Sequence, residues 1–556
     1  MNSLYDNEEE FMVNESLMKV KRDERETAFA EWKPGRGLPE PGLERSVSSN
    51  KVCSKFNVQR STTFNAQIQL DHTPIQFSPI HSPESVPKMS IESQVPVLVD
   101  DILLKILTHC DICSALRASQ VSWHLYGLVF SREIWLALIS DLLRRSFIDL
   151  PPHKDLKTLT TQSLIDLVKH IVLGPRTWKT TTTSPSEPSP MHQIILKPSP
   201  GSQITWENKP QLLSGSEFLL FQKDATLECW STMSLQKIWE YAAKYDLYTV
   251  TSFTAEMTDD RRGIVMLIGL HVMTDETLVW KNIVELVHLD LETVVSNTLL
   301  EERVPDTQLH TGLSHFKVLG DYAVASSKSA QWITVFKCST LLKRTFRTRR
   351  NLQVSPMSQH QNTPILRLLP YDLDLIPGHL VMVSNSIEDP LRVFFLQIWS
   401  LETLVETSCN DLSIDTIAPS LTVQINLPTP SPNLKLHVSS HLSPLRTDSS
   451  IIWMLISSPN FALVHKYHVS HMRSEPLAIQ RVKSWIRTGS FDFLRYLSTI
   501  SYAGYVSLDR LYNVSTPDVV STAIECLYGG HHTFMSAYGG VLAYPEHENI
   551  IVDYYE

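Results

Sequence analysis

Two periodicities divide this chain of 556 residues. Between about Leu98 and Leu173 large apolar residues recur every three or four positions. Beyond residue 190 they come in short runs broken by glycines and polar turns. Ile102, Leu103, Ile106 and Leu107 make two i,i+4 pairs on adjoining stripes of one short helix, and Asp100 and Asp101 sit at its start, where negative charge suits the helix dipole. Cys110–Cys113 predicts a turn, and Ser114 a cap for a second helix running to about Val129. Ser131 predicts the cap of a third, with Ile134, Leu138 and Leu142 on one stripe and Trp135, Ile139 and Leu143 beside it. A further helix over Gln162–Val172 aligns Leu164, Leu167, Val168 and Ile171 and stops at Gly174-Pro175. Together these segments hold more large apolar side chains than short helices bury by themselves.

The later pattern repeats: a glycine or turn, a strand, a turn, then a strand ending in a polar hairpin with threonine. Copies begin at Gly215, Gly263, Gly320 and Gly378, and anchoring them on Trp230, His288, Phe336 and Trp399 spaces them by roughly 50–60 residues, near the length of a propeller blade with loop insertions. The run Gly263–Met273 reads as a buried strand, being about half of what a membrane span needs. The expected fold is therefore a small helical module followed by an all-β propeller-like domain of six to eight blades, seven favoured; a pair of β-sandwiches is the competing reading. Gln193–Leu196 (QIIL) is expected to pair with Ile550–Val552, so that the first and last segments share a blade and close the ring. The predicted organisation is a disordered tail over 1–93, a helical module over 94–146, a linker helix and Ser/Thr/Pro linker over 147–190, and the β domain over 191–556.

Composition narrows the class without changing this layout. With 42% hydrophobic and 19% charged residues most of the chain should fold, and a net charge of −10 argues against general nucleic-acid binding. The N-terminus, MNSLYDNEEEFMVNE, is acidic and lacks an apolar core, so it reads as neither a secretory signal nor a transit peptide. Seven scattered cysteines imply free thiols and a cytoplasmic or nuclear protein, with no membrane partner. Pro- and Ser-rich pieces such as FSPIHSPESVP cannot bury enough apolar surface to order the first 93 residues.

Candidate chemistry is sparse. Cys110-Asp-Ile-Cys113 lacks two further ligands at zinc spacing and lacks the βαβ setting of a redox pair. His531-His532 with Cys526 is no better placed, and no nucleophile elbow, zincin, P-loop or dinucleotide motif occurs. No catalytic residue, metal or cofactor is assigned. The one dense basic run, with Lys343, Arg344, Arg347, Arg349 and Arg350, is expected in a loop after a hairpin, where arginine forks suit a carboxylate or phosphate. A nuclear-import signal and a plain solvated loop are the other readings.

The stretch Leu98–Trp135 resembles the F-box. The opening Leu98-Val99, the acidic Asp101 and the helix Ile102-Leu103-Leu104-Lys105-Ile106-Leu107 follow the family pattern, with Val99 where proline is usual. Asp111, Leu116 and Val121-Ser122-Trp123-His124-Leu125 match its second part, with Leu125 in place of a tryptophan, and Glu133-Ile134-Trp135 closes it. The C-terminal Val552-Asp553-Tyr554-Tyr555 resembles the tail of F-box families of mushroom-forming fungi. The resemblance implies a trihelical unit that docks on a Skp-type adaptor and through it a cullin, with Leu98, Asp101, Ile102, Leu103, Ile106, Leu107, Leu116, Val121, Leu125 and Trp135 as adaptor-binding residues and the propeller binding a protein substrate. It implies a non-enzymatic receptor subunit of a ubiquitin ligase. Against it stand a propeller scaffold without a ubiquitin role and a propeller hydrolase with a helical cap; a buried cluster of acids or histidines in the propeller channel would favour the last.

Overall fold

The computed structural model describes residues 99–555 apart from loop segments, the longer ones being 176–189, 199–209, 305–312, 355–365, 489–496, 514–521 and 524–532. Five helices come first: α1 (Asp100–Leu107), α2 (Ile112–Ser119), α3 (Trp123–Val129), α4 (Arg132–Arg144) and α5 (Thr161–Leu173). The single helix expected from Ser114 to Val129 is two. The Asp111 carboxylate accepts the Ser114 backbone N–H at 2.6 Å and starts α2 three residues early. The Ser122 hydroxyl accepts the Leu125 N–H at 3.2 Å and starts α3 afresh. At α5, Thr160 accepts the Ser163 N–H, and Gly174 ends the helix in a left-handed conformation (φ 77°).

Among the described residues there are seven four-stranded antiparallel sheets. Sheet I runs from Gln211–Leu212 to Gln236–Glu240, II from Tyr248–Met257 to Val295–Arg303, III from Leu313–Leu319 to Leu342–Arg347, and IV from Tyr371–Ile376 to Leu421–Asn426. Sheet V runs from Lys435–Leu442 to Ala478–Thr488, VI from Leu497–Ile500 to Thr522–Ala523, and VII begins at Phe534–Met535. First strands touch first strands, II with III, III with IV, IV with V, VI with VII and VII with I, so they stand around one axis. This is the propeller arrangement, in which radial repetition leaves only short outer edges.

The sequence repeat is out of phase with the sheets by one strand. Gly215, Gly320 and Gly378 lie in the turns between first and second strands, all with positive φ, as the tight reversal requires. The anchors Trp230, His288, Phe336 and Trp399 all fall on third strands. Ring closure is as expected: Ile194 pairs with Val552, Ile195 with Ile551 and Leu196 with Ile550, making His192–Leu196 the outer strand of sheet VII.

Of the stretch expected to be a linker helix and linker, residues 147–173 pack on the ring, and 176–189 lie outside the described residues. Phe147, Ile148, Leu156, Leu164, Ile165, Val168 and Ile171 share one apolar core with α1–α4, with Ile451, Trp453, Leu455 and Val464 of sheet V, and with Tyr502 and Tyr538. Docking runs through the turns between first and second strands. Cys113 N–H donates to Leu445 O, Gly215 N–H to the Asp149 carboxylate, and Arg261 Nη1 to Leu143 O. Phe147 meets Tyr538 edge to face, ring centroids 4.6 Å apart. A Cβ on Gly540 would lie 2.2 Å from Pro175, so backbone and proline are in direct contact there. The helices are thereby fixed to sheets I, II, V, VI and VII at one end of the ring.

Candidate functional site

The helical part presents one apolar face to solvent. On α1, Ile102 and Ile106 are one turn apart, and Val99 precedes them on the same stripe. Each is about half exposed or more. At the start of α3, Val121 and Trp123 flank the cap residue Ser122 and are 75% and 72% exposed. The His124 Nε2–Asp100 Oδ1 contact of 2.8 Å brings the starts of α1 and α3 side by side, which joins the two groups into one surface. Trp123 begins an aromatic ladder through Tyr126 and Phe130 to the buried Trp135. The face is thus backed by stacked rings, not by loop.

Several residues expected on this surface are elsewhere. Leu107, Leu116 and Trp135 are buried in the core shared with sheet V, so their role is packing. Leu103 and Leu125 are partly buried, Asp101 is exposed, and Leu98 lies outside the described residues. Trp123 was missed because a single helix from Ser114 to Val129 gave no signal of the restart at Ser122 that leaves it exposed. Val99, first noticed as a departure from the usual proline, is part of the exposed face.

The basic run is not a free loop. Leu342–Arg347 is the outer strand of sheet III; Lys343 pairs with Glu302, Arg344 Nε donates to Thr407 O at 2.9 Å, and Phe346, two residues further on, is buried. Arg347 is exposed, and Arg349 and Arg350 lie outside the described residues. Burial lowers the Lys343 ammonium below its usual range. Three of the five basic residues are therefore strand side chains, with Lys343 held by Glu302 of sheet II and Arg344 by the C-cap residue of the helix Leu401–Glu406.

A second constellation lines the axis. Strand Tyr371–Ile376 offers Asp372 and Asp374 on one face, between His315 and Lys317 of sheet III and the start of sheet V. Asp372 Oδ1 accepts the Leu373 N–H at 2.8 Å and lies 2.9 Å from His315 Nδ1. Its Oδ2 accepts the Val438 N–H at 2.8 Å and lies 2.9 Å from His437 Nδ1. Asp374 repeats the pattern with Leu375 N–H, Lys317 Nζ at 3.1 Å and Ser440 N–H at 2.7 Å. Burial by itself would raise the Asp372 carboxyl, but the two imidazoles hold it far below the ordinary carboxylate range. Burial, with Lys317, His437 and Lys466 nearby, pushes His441 down to about 3, and burial lifts Glu256 to about 7 against a hydrogen bond from Gly320 N–H.

This is the kind of channel cluster that would point to hydrolysis, but its geometry is that of a strap. All four lone-pair positions of Asp372 are taken by donors from three sheets, which leaves no carboxylate oxygen aimed at a water as a general base. At the α1–α2 turn, Cys110 Sγ lies 3.4 Å from Ile106 O, and burial with Asp111 raises its thiol, so it stays protonated. Among the described residues no group of three His, Cys, Asp or Glu side chains stands at metal-binding spacing, and no helix is long and apolar enough to cross a membrane.

Residues 96–137 match the family model of the F-box domain. The chain therefore carries an F-box joined to a β-propeller. Its ring is similar to the β-propeller domain of Cps50 (Swd1) from Myceliophteria thermophila, at 10% identity and a TM-score of 0.35 over 65% of this chain and 99% of that one. It is also similar to the WD40 domain of SCAP from fission yeast (11%, TM-score 0.32, 62% and 84% covered) and to the β-propeller domain of Nup133 from Vanderwaltozyma polyspora (10%, 0.34, 68% and 100%). No curated protein matches the sequence.

Proposed function

We propose that the chain is the substrate-receptor subunit of a cullin-type ubiquitin ligase. The face made by Val99, Ile102, Ile106, Val121 and Trp123 docks on a Skp-type adaptor, and the adaptor connects to the cullin. The single observation that carries this reading is that the F-box residues leave a contiguous apolar face uncovered while burying or half-burying their other large apolar side chains. An exposed aromatic at the centre of an apolar patch has the composition of an interface hot spot. The ring, read as seven blades, binds the target protein at the end that carries the second-to-third strand turns, since the helices occupy the other end. Rigid attachment through the shared core sets the distance between target and conjugating enzyme, and the contribution to catalysis is proximity.

The test is co-purification with adaptor and cullin from cells expressing the intact chain. Wild type is expected to retain both, and Ile106→Glu with Val121→Glu to lose both while keeping the wild-type melting profile. Both substituted positions are exposed, so the loss reads binding and not folding. Retention of a target set by a wild-type chain that never captures the adaptor would instead support a propeller scaffold without a ubiquitin role.

A further inference from the structure

The outer strand of sheet II, Val295–Arg303, differs from the other outer strands. From Val295 to Leu299 five consecutive side chains stand exposed, where the outer strands of sheets I, III, IV and VII each bury at least one position inward. Natural edges are guarded by charge, shortness or bulges. Here sheet I carries Lys237 and Glu240, sheet III Lys343 and Arg344, sheet V Arg481 and Lys483, and the outer strand of sheet VI is two residues long. The stretch Val-Ser-Asn-Thr-Leu has no charge. It is entered through Val294, a β-branched residue at φ 57° that is 44% exposed, a strained position to give an apolar side chain. Sheets IV and VII are also free of Asp, Glu, Lys and Arg at their edges, but there Ile425, Ile194 and Leu196 are buried, and Leu421 and Val423 pack on the core between sheets IV and V.

The residues read almost the same in both directions. Turned antiparallel on itself about Asn297, the strand sets Ser296 opposite Thr298, Asn297 opposite Asn297, and Val295 across from Leu299. Hydroxyl meets hydroxyl and apolar meets apolar, the matches that stabilise cross-strand pairs. The register against the third strand shifts at Leu286/Val287, which puts a bulge at Leu299 and ends the flat stretch there. The backbone pairing is accordingly short, and the Val295–Leu299 contact is between side chains alone. We propose that this edge is a homodimer interface: two copies of the chain join sheets II by antiparallel pairing centred on Asn297, with a two-fold axis through that residue.

A charge design on the intact chain tests this by sedimentation velocity. Wild type is expected to sediment at twice the 63.3 kDa chain mass. Ser296→Lys with Thr298→Lys places lysine against lysine twice and should raise the dimer dissociation constant on the order of a hundredfold. Ser296→Glu with Thr298→Lys places glutamate against lysine twice and should restore the dimer; because both designs carry the same lysine at 298, beside the buried Glu285 that Thr298 bonds, the pair separates a broken interface from a broken fold. A wild type that stays monomeric, a lysine pair that dimerises as well as wild type, or a lysine–glutamate pair that is monomeric would each overturn the proposal.

Discussion

Sheets I, II, V, VI and VII and sheets III and IV hold to the ring by different means. The first group is braced from one end by the helices, sheets V, VI and VII through an apolar core that runs from Leu107 to Trp453 and Tyr538, and sheets I and II through hydrogen bonds to Asp149 and Leu143 O. Sheets III and IV stand outside that brace. Their first strands are fastened to each other and to sheet V by Asp372 and Asp374, with His315, Lys317 and His437 as partners. Apolar burial is tolerant of small shifts and needs only volume and area. Buried carboxylates bonded to backbone N–H groups of the next sheet fix register, at a desolvation cost that leaves no room for a missing partner. Apolar cores join neighbouring sheets on both sides of the ring, sheet III to IV and IV to V included; what the unbraced side adds is a set of directed polar bonds along the axis.

Breaking each kind of fastening should produce different failures. The largest effect is expected from Trp135→Ala, which empties a fully buried site in the shared core and should cost about 3–5 kcal/mol. Because helices and sheet V share that core, denaturant unfolding followed by tryptophan fluorescence and by far-UV circular dichroism should shift together. Separate transitions for the two signals would mean that the core is not shared.

Asp372→Asn should cost on the order of 3 kcal/mol, since it strands two imidazoles in a site built for a carboxylate. Here the loss should be local, with amide protection in hydrogen exchange falling in sheets III and IV before sheet VII. The pH dependence has a definite sign. The folded-state Asp372 lies below its unfolded value, so its contribution is complete above the ordinary carboxylate range, about pH 4, and is lost as pH falls through the folded value. The stability gap between wild type and Asp372→Asn should persist down to about pH 4 and close only in stronger acid; a gap already closed on acidification above the ordinary carboxylate range would contradict the strap.

The smaller effect is at Glu256, where burial raises the carboxyl to about 7 from 4.5. The folded state holds this proton more tightly than the unfolded chain, so the stability it confers is present below about pH 4.5 and is lost as pH rises to about 7. Glu256→Gln should remove that slope and melt above wild type at pH 8, with little difference at pH 4.5. Equal melting temperatures at both pH values would show that Glu256 is solvated.

Much of this was legible in the residues, and the failures have physical causes. The helices follow from apolar spacing, and ring closure from the short apolar QIIL run and the terminal strand. What periodicity does not state is which of two apolar stripes faces inward when a short helix is covered on one side only. Leu107, Leu116 and Trp135 were read as surface for that reason, and Trp123 was not assigned to it. Sheet V escaped the repeat because no glycine marks the turn after its first strand, where Ser443 stands instead. The axial strap had a signal that was not read. His315-x-Lys317, Asp372-x-Asp374 and Lys435-x-His437 each put polar residues at strand period on a first strand, where an apolar alternation is otherwise expected.

The central claim is that the uncovered face of α1 and α3 is the docking surface and that the ring plays no part in adaptor binding. Hydrogen exchange of the intact chain with and without purified Skp-type adaptor tests it directly. The account predicts new protection confined to residues 99–126, with sheets I to VII unchanged. Protection that appears on the ring while α1 and the start of α3 stay as exposed as in the free chain would contradict it.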